Sequence, residues 1–331
     1  MTKLQPALDR RGFFKLGFAA MYFALPDGLR ADAARQLEGV FPILQTPFTD
    51  AGALDTAALA AEVRFCDRIG VQGVVWPQLA SEYSALSMEE RFAGAKAVAH
   101  TARSLAGNGE HPAVVIGVQG PDTESAVRYA RHAAKLEPDA IVAIPLDTKD
   151  LRKQFDYYRA IAAGCNRPLF VQTVGDMTVD FVLEMAREIP TLRYVKDEAG
   201  QTLPRISEYR ARAGDLIRGV FTGAHGRTLI DELARGSAGA MPAAGFADLY
   251  VTAWKAWRAG KRDEARDMFS KVLLLVTEVQ AFGLPSMKYI LQLRGVFPNT
   301  KCRLQGGAPL DDQARKSIRE TYEFVKPYLK S

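Results

Sequence analysis

Leu192-Arg193-Tyr194-Val195-Lys196-Asp197 is a short β-type run that closes on a cation and an acid. Period-two alternation assigns Leu192, Tyr194 and Lys196 to one face of a strand. If that face is the inside of a parallel barrel, Lys196 stands at the strand's C-terminal end, where barrel enzymes carry their active sites. Apolar neighbours there would favour the neutral, nucleophilic amine. Spacing alone does not separate this reading from an ordinary solvated or ion-paired lysine.

Working outward, seven more apolar or β-branched runs occur, so that the set is residues 40–46, 73–78, 113–117, 140–145, 169–173, 192–197, 217–222 and 239–242. Segments of helical length separate them. Ser87-Met88-Glu89-Glu90 supplies a cap and first-turn acids for one helix, and Asp122-Thr123-Glu124 opens another that runs to Leu136. Strand and helix alternating eight times predict an α/β fold, a closed (β/α)8 TIM barrel. An open doubly wound sheet is the alternative, but Thr46-Pro47-Phe48 occupies the place of its phosphate-binding glycine turn. Helices expected over 262–282, 285–294 and 312–329 make a C-terminal helical addition, in which Leu273 to Val276 read as packing or subunit-contact residues. The expected organisation is therefore 1–33 as a leader, 34–260 as barrel and 261–331 as the helical region.

Of the 331 residues, 48% are hydrophobic and 24% charged, the balance of a chain that buries one large core. Of the formal charge of +5, the first 33 residues contribute +2, five cations against three acids, and the remainder carries about +3. The rest is scattered and interleaved with acids, as in Lys261-Arg262-Asp263-Glu264, which argues against a nucleic-acid partner. Cys66, Cys165 and Cys302 are far apart and odd in number, and the four histidines lack metal-ligand spacing. Neither a disulfide framework, a metal nor a cofactor is expected.

Arg10-Arg11-Gly12-Phe13-Phe14-Lys15 is a twin-arginine pattern, followed by an apolar run from Leu16 to Leu25 and the small-x-small site Ala31-Asp32-Ala33. The run is about half the length of a membrane span, so an export signal is expected rather than a stable membrane anchor. The mature chain would then work in the periplasm. An amphipathic helix packed on the barrel is the alternative.

Further motifs join strand six: Gly39-Val40-Phe41-Pro42 through Thr46-Pro47-Phe48, Gly70-Val71-Gln72-Gly73, Glu82 with Leu86-Ser87-Met88-Glu89-Glu90-Arg91, Tyr194-Val195-Lys196-Asp197-Glu198, and Phe221-Thr222-Gly223. Taken together they resemble the dihydrodipicolinate synthase and N-acetylneuraminate lyase family, across nearly the whole chain after residue 33. The resemblance implies a barrel, usually oligomeric (a homodimer or homotetramer), in which the lysine matching Lys196 forms an imine with a 2-oxo acid. Where the family's carbon–carbon lyases carry Gly-Thr-Thr-Gly-Glu, this chain has Gln78-Leu79-Ala80-Ser81-Glu82; where they carry Tyr-Asn, it has Gln172-Thr173. Leu146-Asp147 replaces the aromatic pair after strand four. Gln172 can hydrogen-bond but cannot relay a proton near neutral pH. Ala80-Ser81-Glu82, Val171-Gln172, Arg235-Gly236 with Met241-Pro242, and Leu293-Arg294-Gly295 resemble a branch that contains 2-keto-3-deoxy sugar-acid dehydratases.

The reaction expected from this resemblance is a class I lyase reaction on a small-molecule 2-oxo acid. Lys196 condenses with C2, a base takes a C3 proton, and the C4 hydroxyl leaves as water. Glu82 and Ser81 are the residues expected to transfer protons, although Glu82 reads equally well as a structural brace of the strand-two loop. Amides around Ala80 and Ser81 would hold the carboxylate, and Thr46, Gln172, Thr173 and Ala240 would complete the pocket. Aldol cleavage with release of pyruvate is the variant reaction, for which no residue clearly supplies the base at the C4 hydroxyl. A non-catalytic periplasmic binder of a 2-oxo acid is the rival function.

Overall fold

The computed structural model describes residues 35–106, 111–304 and 307–330; the expected export signal at 1–33 lies outside them. Residues 36–331 group as one compact unit. β1 (Gly39–Val40) leads to α1 (Thr56–Ile69), β2 (Gly73–Trp76) to α2 (Met88–Ser104), β3 (Ala113–Gly117) to α3 (Thr123–Lys135) and β4 (Ala140–Ala143) to α4 (Leu151–Gly164). β5 (Leu169–Gln172) is followed by α5 (Val179–Glu188), β6 (Leu192–Asp197) by α6 (Thr202–Arg212), β7 (Gly219–Thr222) by α7 (Leu229–Ala234) and β8 (Gly239–Ala240) by α8 (Ala247–Arg258). The strands are parallel, in the order β1-β8-β7-β6-β5-β4-β3-β2. Residues after β1 close the ring onto β2, since Ile43 bridges Val75 and Gln72 N donates to Val40 O at 3.1 Å. This is the TIM barrel that the alternation of strand and helix predicts.

Local chemistry sets the helix starts. Ser87 Oγ accepts from Glu90 N while the Glu90 carboxylate accepts from Ser87 N, a reciprocal cap for α2. Asp122 accepts from Ser125 N at 2.7 Å to open α3. Such caps are each worth about 1 kcal/mol because they satisfy amides that the first helical turn leaves unpaired.

The barrel interior holds a layer of aromatic rings. Phe170 stacks on Tyr194 with ring centroids 4.7 Å apart, and Phe221 meets Phe170 and Phe41 edge-on at 5.4 and 5.1 Å. Gly73 makes room for this layer: a Cβ there would lie 2.2 Å from the Phe41 ring. Tyr194 belongs to the interior, whereas Leu192 packs in the outer core between strands and helices. The pairing register shifts by one residue around Arg193, with Leu169 opposite Leu192 and Phe170 opposite Tyr194. That irregularity breaks the single face expected for Leu192, Tyr194 and Lys196.

α9 (Arg262–Phe282), α10 (Leu284–Leu293) and α11 (Asp312–Val325) complete the described chain. α9 packs along α8, and α10 lies against the turn that follows β8. Among the described residues no helix is long and apolar enough to cross a membrane.

Candidate active site

Lys196 is the penultimate residue of β6, above the aromatic layer, and is 4% exposed. It opens into a cavity of about 320 Å³ walled by Ile43, Leu79, Ala80, Met241, Pro242, Ala243, Leu284 and Met287, with Glu198, Ala224 and His225 as its polar side. The lining comes from the C-terminal ends of strands on both sides of β6 and from α10, so the C-terminal region forms part of the pocket wall.

Glu198 is the carboxylate of this site. Its Oε1 lies 3.5 Å from Lys196 Nζ and accepts from Ala224 N at 3.0 Å, and its Oε2 accepts from Gln172 Nε2. Gly223 makes that placement possible, because a Cβ at 223 would fall 1.7 Å from Glu198 Oε1. The next two residues, Ala224 and His225, have φ of 46° and 60°, which turns the chain sharply beside the carboxylate. Burial holds His225 below the ordinary histidine range, against the pull of Glu198 and with the help of the nearby Lys196 and Arg227 cations. At neutral pH the imidazole is therefore neutral.

The residues expected from sequence are distributed unevenly about this cavity. Lys196 and Ala80 line it, while Gln172 reaches it through its bond to Glu198. Thr46 is fully buried behind it: its hydroxyl donates to Ser81 O at 2.5 Å and accepts from Trp76 Nε1 at 3.1 Å. The Ser81 hydroxyl donates to Leu44 O at 2.5 Å and accepts from Gln78 N at 3.0 Å, and Ser81 N donates to Gln78 O. With its donor and acceptor both engaged, Ser81 secures the turn after β2 and lies outside the cavity lining. Thr173 donates to Asp197 Oδ1 at 2.7 Å and accepts from Glu198 N at 3.0 Å and Ala199 N at 3.1 Å, fixing the end of β6. Asp197 in turn is forked by Arg205, the shortest contact being 2.8 Å. Ala240 packs in the outer core, and its successors Met241, Pro242 and Ala243 face the cavity.

Glu82 also lies outside the lining. Its carboxylate is 2.5 Å from Lys288 Nζ and accepts from the amides of Arg303 and Leu304 at 2.6 and 2.7 Å. These three donors tie it to the C-terminal region, and its geometry is that of a brace. Glu198, Ala224 and His225 were not identified from sequence as site residues. Glu198, two residues beyond Lys196 and just past the end of the same strand, was the available signal.

Residues 36–324 match the model of the dihydrodipicolinate synthetase family. The chain belongs to that family. Among family relatives, it is 28% identical to the L-2-keto-3-deoxyarabonate dehydratase of Azospirillum brasilense over 80% of this chain and 87% of that protein. It is likewise 28% identical to a probable 2-dehydro-3-deoxy-D-pentonate aldolase of Escherichia coli K12, over 81% of this chain and 91% of the relative. Dihydrodipicolinate synthase from Rhodopseudomonas palustris superposes with a TM-score of 0.78 at 25% identity, covering 87% of this chain and 97% of that one. The dihydrodipicolinate synthetase family's Schiff-base lyase chemistry thus extends to this chain, which is a class I lyase.

Proposed function

We propose that the protein dehydrates a 2-keto-3-deoxy sugar acid through an imine on Lys196, with Glu198 carrying the proton. The observation that supports this most directly is the 3.5 Å separation of Glu198 Oε1 from Lys196 Nζ at the polar side of an otherwise apolar cavity. In an imine at Nζ, C3 of the substrate is two bonds from the nitrogen, roughly 2.5 Å by ordinary bond lengths, and so within reach of the same carboxylate.

The steps balance on these two side chains. Lys196 attacks C2 and water is lost to give the iminium. Glu198 takes a C3 proton, and the C–H electron pair forms the enamine. The enamine then expels the C4 hydroxyl, which leaves as water with the proton that Glu198 holds. Hydrolysis of the remaining iminium frees Lys196. In this reading Gln172 replaces the family tyrosine as an anchor: it holds Glu198 Oε2 and leaves proton transfer to the carboxylate. The Arg10-Arg11 leader would place the activity in the periplasm.

The test is borohydride trapping. The protein is incubated with pyruvate or a 2-keto-3-deoxy sugar acid, reduced, and read by peptide mass spectrometry. An adduct on Lys196, absent from Lys196→Ala, with consumption of the sugar acid, is expected. An adduct without turnover would make the protein a binder, and no adduct with any 2-oxo acid would sink the lyase mechanism.

A further inference from the structure

Glu198 lines two cavities. One is the Lys196 pocket; the other is a polar cavity of about 440 Å³ between the ends of β6 and β7 and the start of α7, where Thr222, Arg227 and Glu232 also face inward. Glu232 and Thr222 are 2% and 1% exposed. Glu232 Oε1 accepts from Thr228 Oγ1 at 2.8 Å, but Glu232 Oε2 and Thr222 Oγ1 have no hydrogen-bond partner. Burial pushes the Glu232 pKa up, against the Thr228 hydroxyl and the nearby Thr222 hydroxyl, which favour the charged carboxylate.

Buried polar atoms left without partners are costly unless water or a ligand satisfies them. A polar cavity of this size has both the room and the partners to hold water. The Lys196 pocket is different. Its walls are mainly apolar and offer few groups beyond Lys196 and His225 that would fix a water against Glu198.

We propose that the second cavity is a water site through which Glu198 exchanges its proton with solvent, the water being held by the Thr222 hydroxyl and the Glu232 carboxyl. The inference rests on the reading of Lys196 as the imine-forming residue and Glu198 as the proton carrier. When Glu198 removes a proton from C3 of the iminium, the C–H electron pair becomes the C2–C3 double bond and the nitrogen becomes neutral. The Glu198 O–H then exchanges with the held water. Return of the exchanged proton to C3 restores the iminium. In deuterium oxide, each such cycle replaces one hydrogen of the substrate carbon by deuterium. Glu232 and Thr222 act through the water and are positioning residues.

The experiment follows the methyl signal of pyruvate by proton NMR in deuterium oxide, with borohydride-trapped adduct counted in parallel. Wild type should wash deuterium into the methyl group. Glu232→Gln and Thr222→Val should slow the wash-in by roughly ten-fold or more with adduct yield unchanged, and Thr222→Ser should restore it. Wash-in at the wild-type rate in both Glu232→Gln and Thr222→Val, with equal adduct, would overturn the water route while leaving the imine reading intact. Absence of adduct in the wild type would overturn the imine reading and the water route together.

Discussion

Lys288 on α10 places its ammonium 2.5 Å from Glu82 Oε1, although 206 residues separate the two in sequence and neither side chain has any solvent exposure. The pair is part of a larger clasp. Lys288 Nζ also donates to Lys301 O at 2.6 Å and sits 4.5 Å from the centroid of the Phe48 ring. Arg303, beside the amides that Glu82 holds, forks the Glu90 carboxylate and holds it at a pKa of about 2. The loop after β2, which supplies Ala80 to the pocket, is thus fastened to the C-terminal region that supplies Leu284 and Met287.

Breaking one partner of a buried pair strands the other charge, which typically costs about 3–5 kcal/mol. Lys288→Met should lower stability by that order in urea unfolding, and Glu82→Gln with Lys288→Met should recover part of it. Borohydride adduct on Lys196 should persist in Glu82→Gln as long as the chain folds. Loss of the adduct in folded Glu82→Gln would return Glu82 to the chemistry.

The aromatic layer gives a packing prediction. Because a Cβ at Gly73 would lie 2.2 Å from the Phe41 ring, Gly73→Ala should destabilise the barrel by roughly 1–3 kcal/mol, the usual cost of overpacking. Adding Phe41→Leu should relieve the clash, so the double variant should be more stable than the sum of the single effects allows. Additive losses in the urea midpoint would mean that the two sites do not meet.

The fold was legible because it is written in local signals. Residues 113–117 and 192–197 are strands over the expected bounds, and the caps at Ser87 and Asp122 stand where their side-chain chemistry puts them. The run 40–46 predicts one strand, yet only Gly39–Val40 pairs as a ladder, since Ile43 beyond it bridges Val75 on β2 and Ala243 after β8. The position of Lys196 at a strand end was legible from alternation, but its assignment to imine chemistry came from the resemblance of the surrounding motifs and not from that position. The partners of Ser81, Glu82 and Glu198 were not legible, because each is fixed by groups brought in from elsewhere: Leu44 O, Lys288 Nζ, and Gln172 with Ala224. No period within one strand announces whether a carboxylate faces a clasp or a cavity.

His225 gives the protein a pH dependence of definite sign. Unfolded, the imidazole titrates at about 6.5; folded, burial moves it lower. Between the two values the unfolded chain carries the extra proton, so acidification below about 6.5 draws the equilibrium toward it. His225→Asn removes the titration and keeps a residue that tolerates φ of 60°. Urea midpoints taken from pH 8 to pH 5 should fall less in the variant than in wild type, and identical slopes would show that His225 does not contribute.

The most local prediction concerns Gly223, whose missing side chain leaves the space that Glu198 Oε1 occupies. The atom nearest a new Cβ is the far end of the Glu198 side chain, so Gly223→Ala should move the carboxylate at little cost in stability. Moving it breaks the contacts with Ala224 N and Lys196 Nζ, at 3.0 and 3.5 Å. Glu198→Gln keeps the shape and removes the proton carrier. Both variants should still trap a 2-oxo acid on Lys196, because imine formation needs the amine, and both should lose about 10²–10⁴ in turnover, the range general acid–base catalysis supplies. If Gly223→Ala lost turnover and Glu198→Gln did not, the proton would be carried by another group at that wall, and His225, two residues from Gly223, would be the one to replace next.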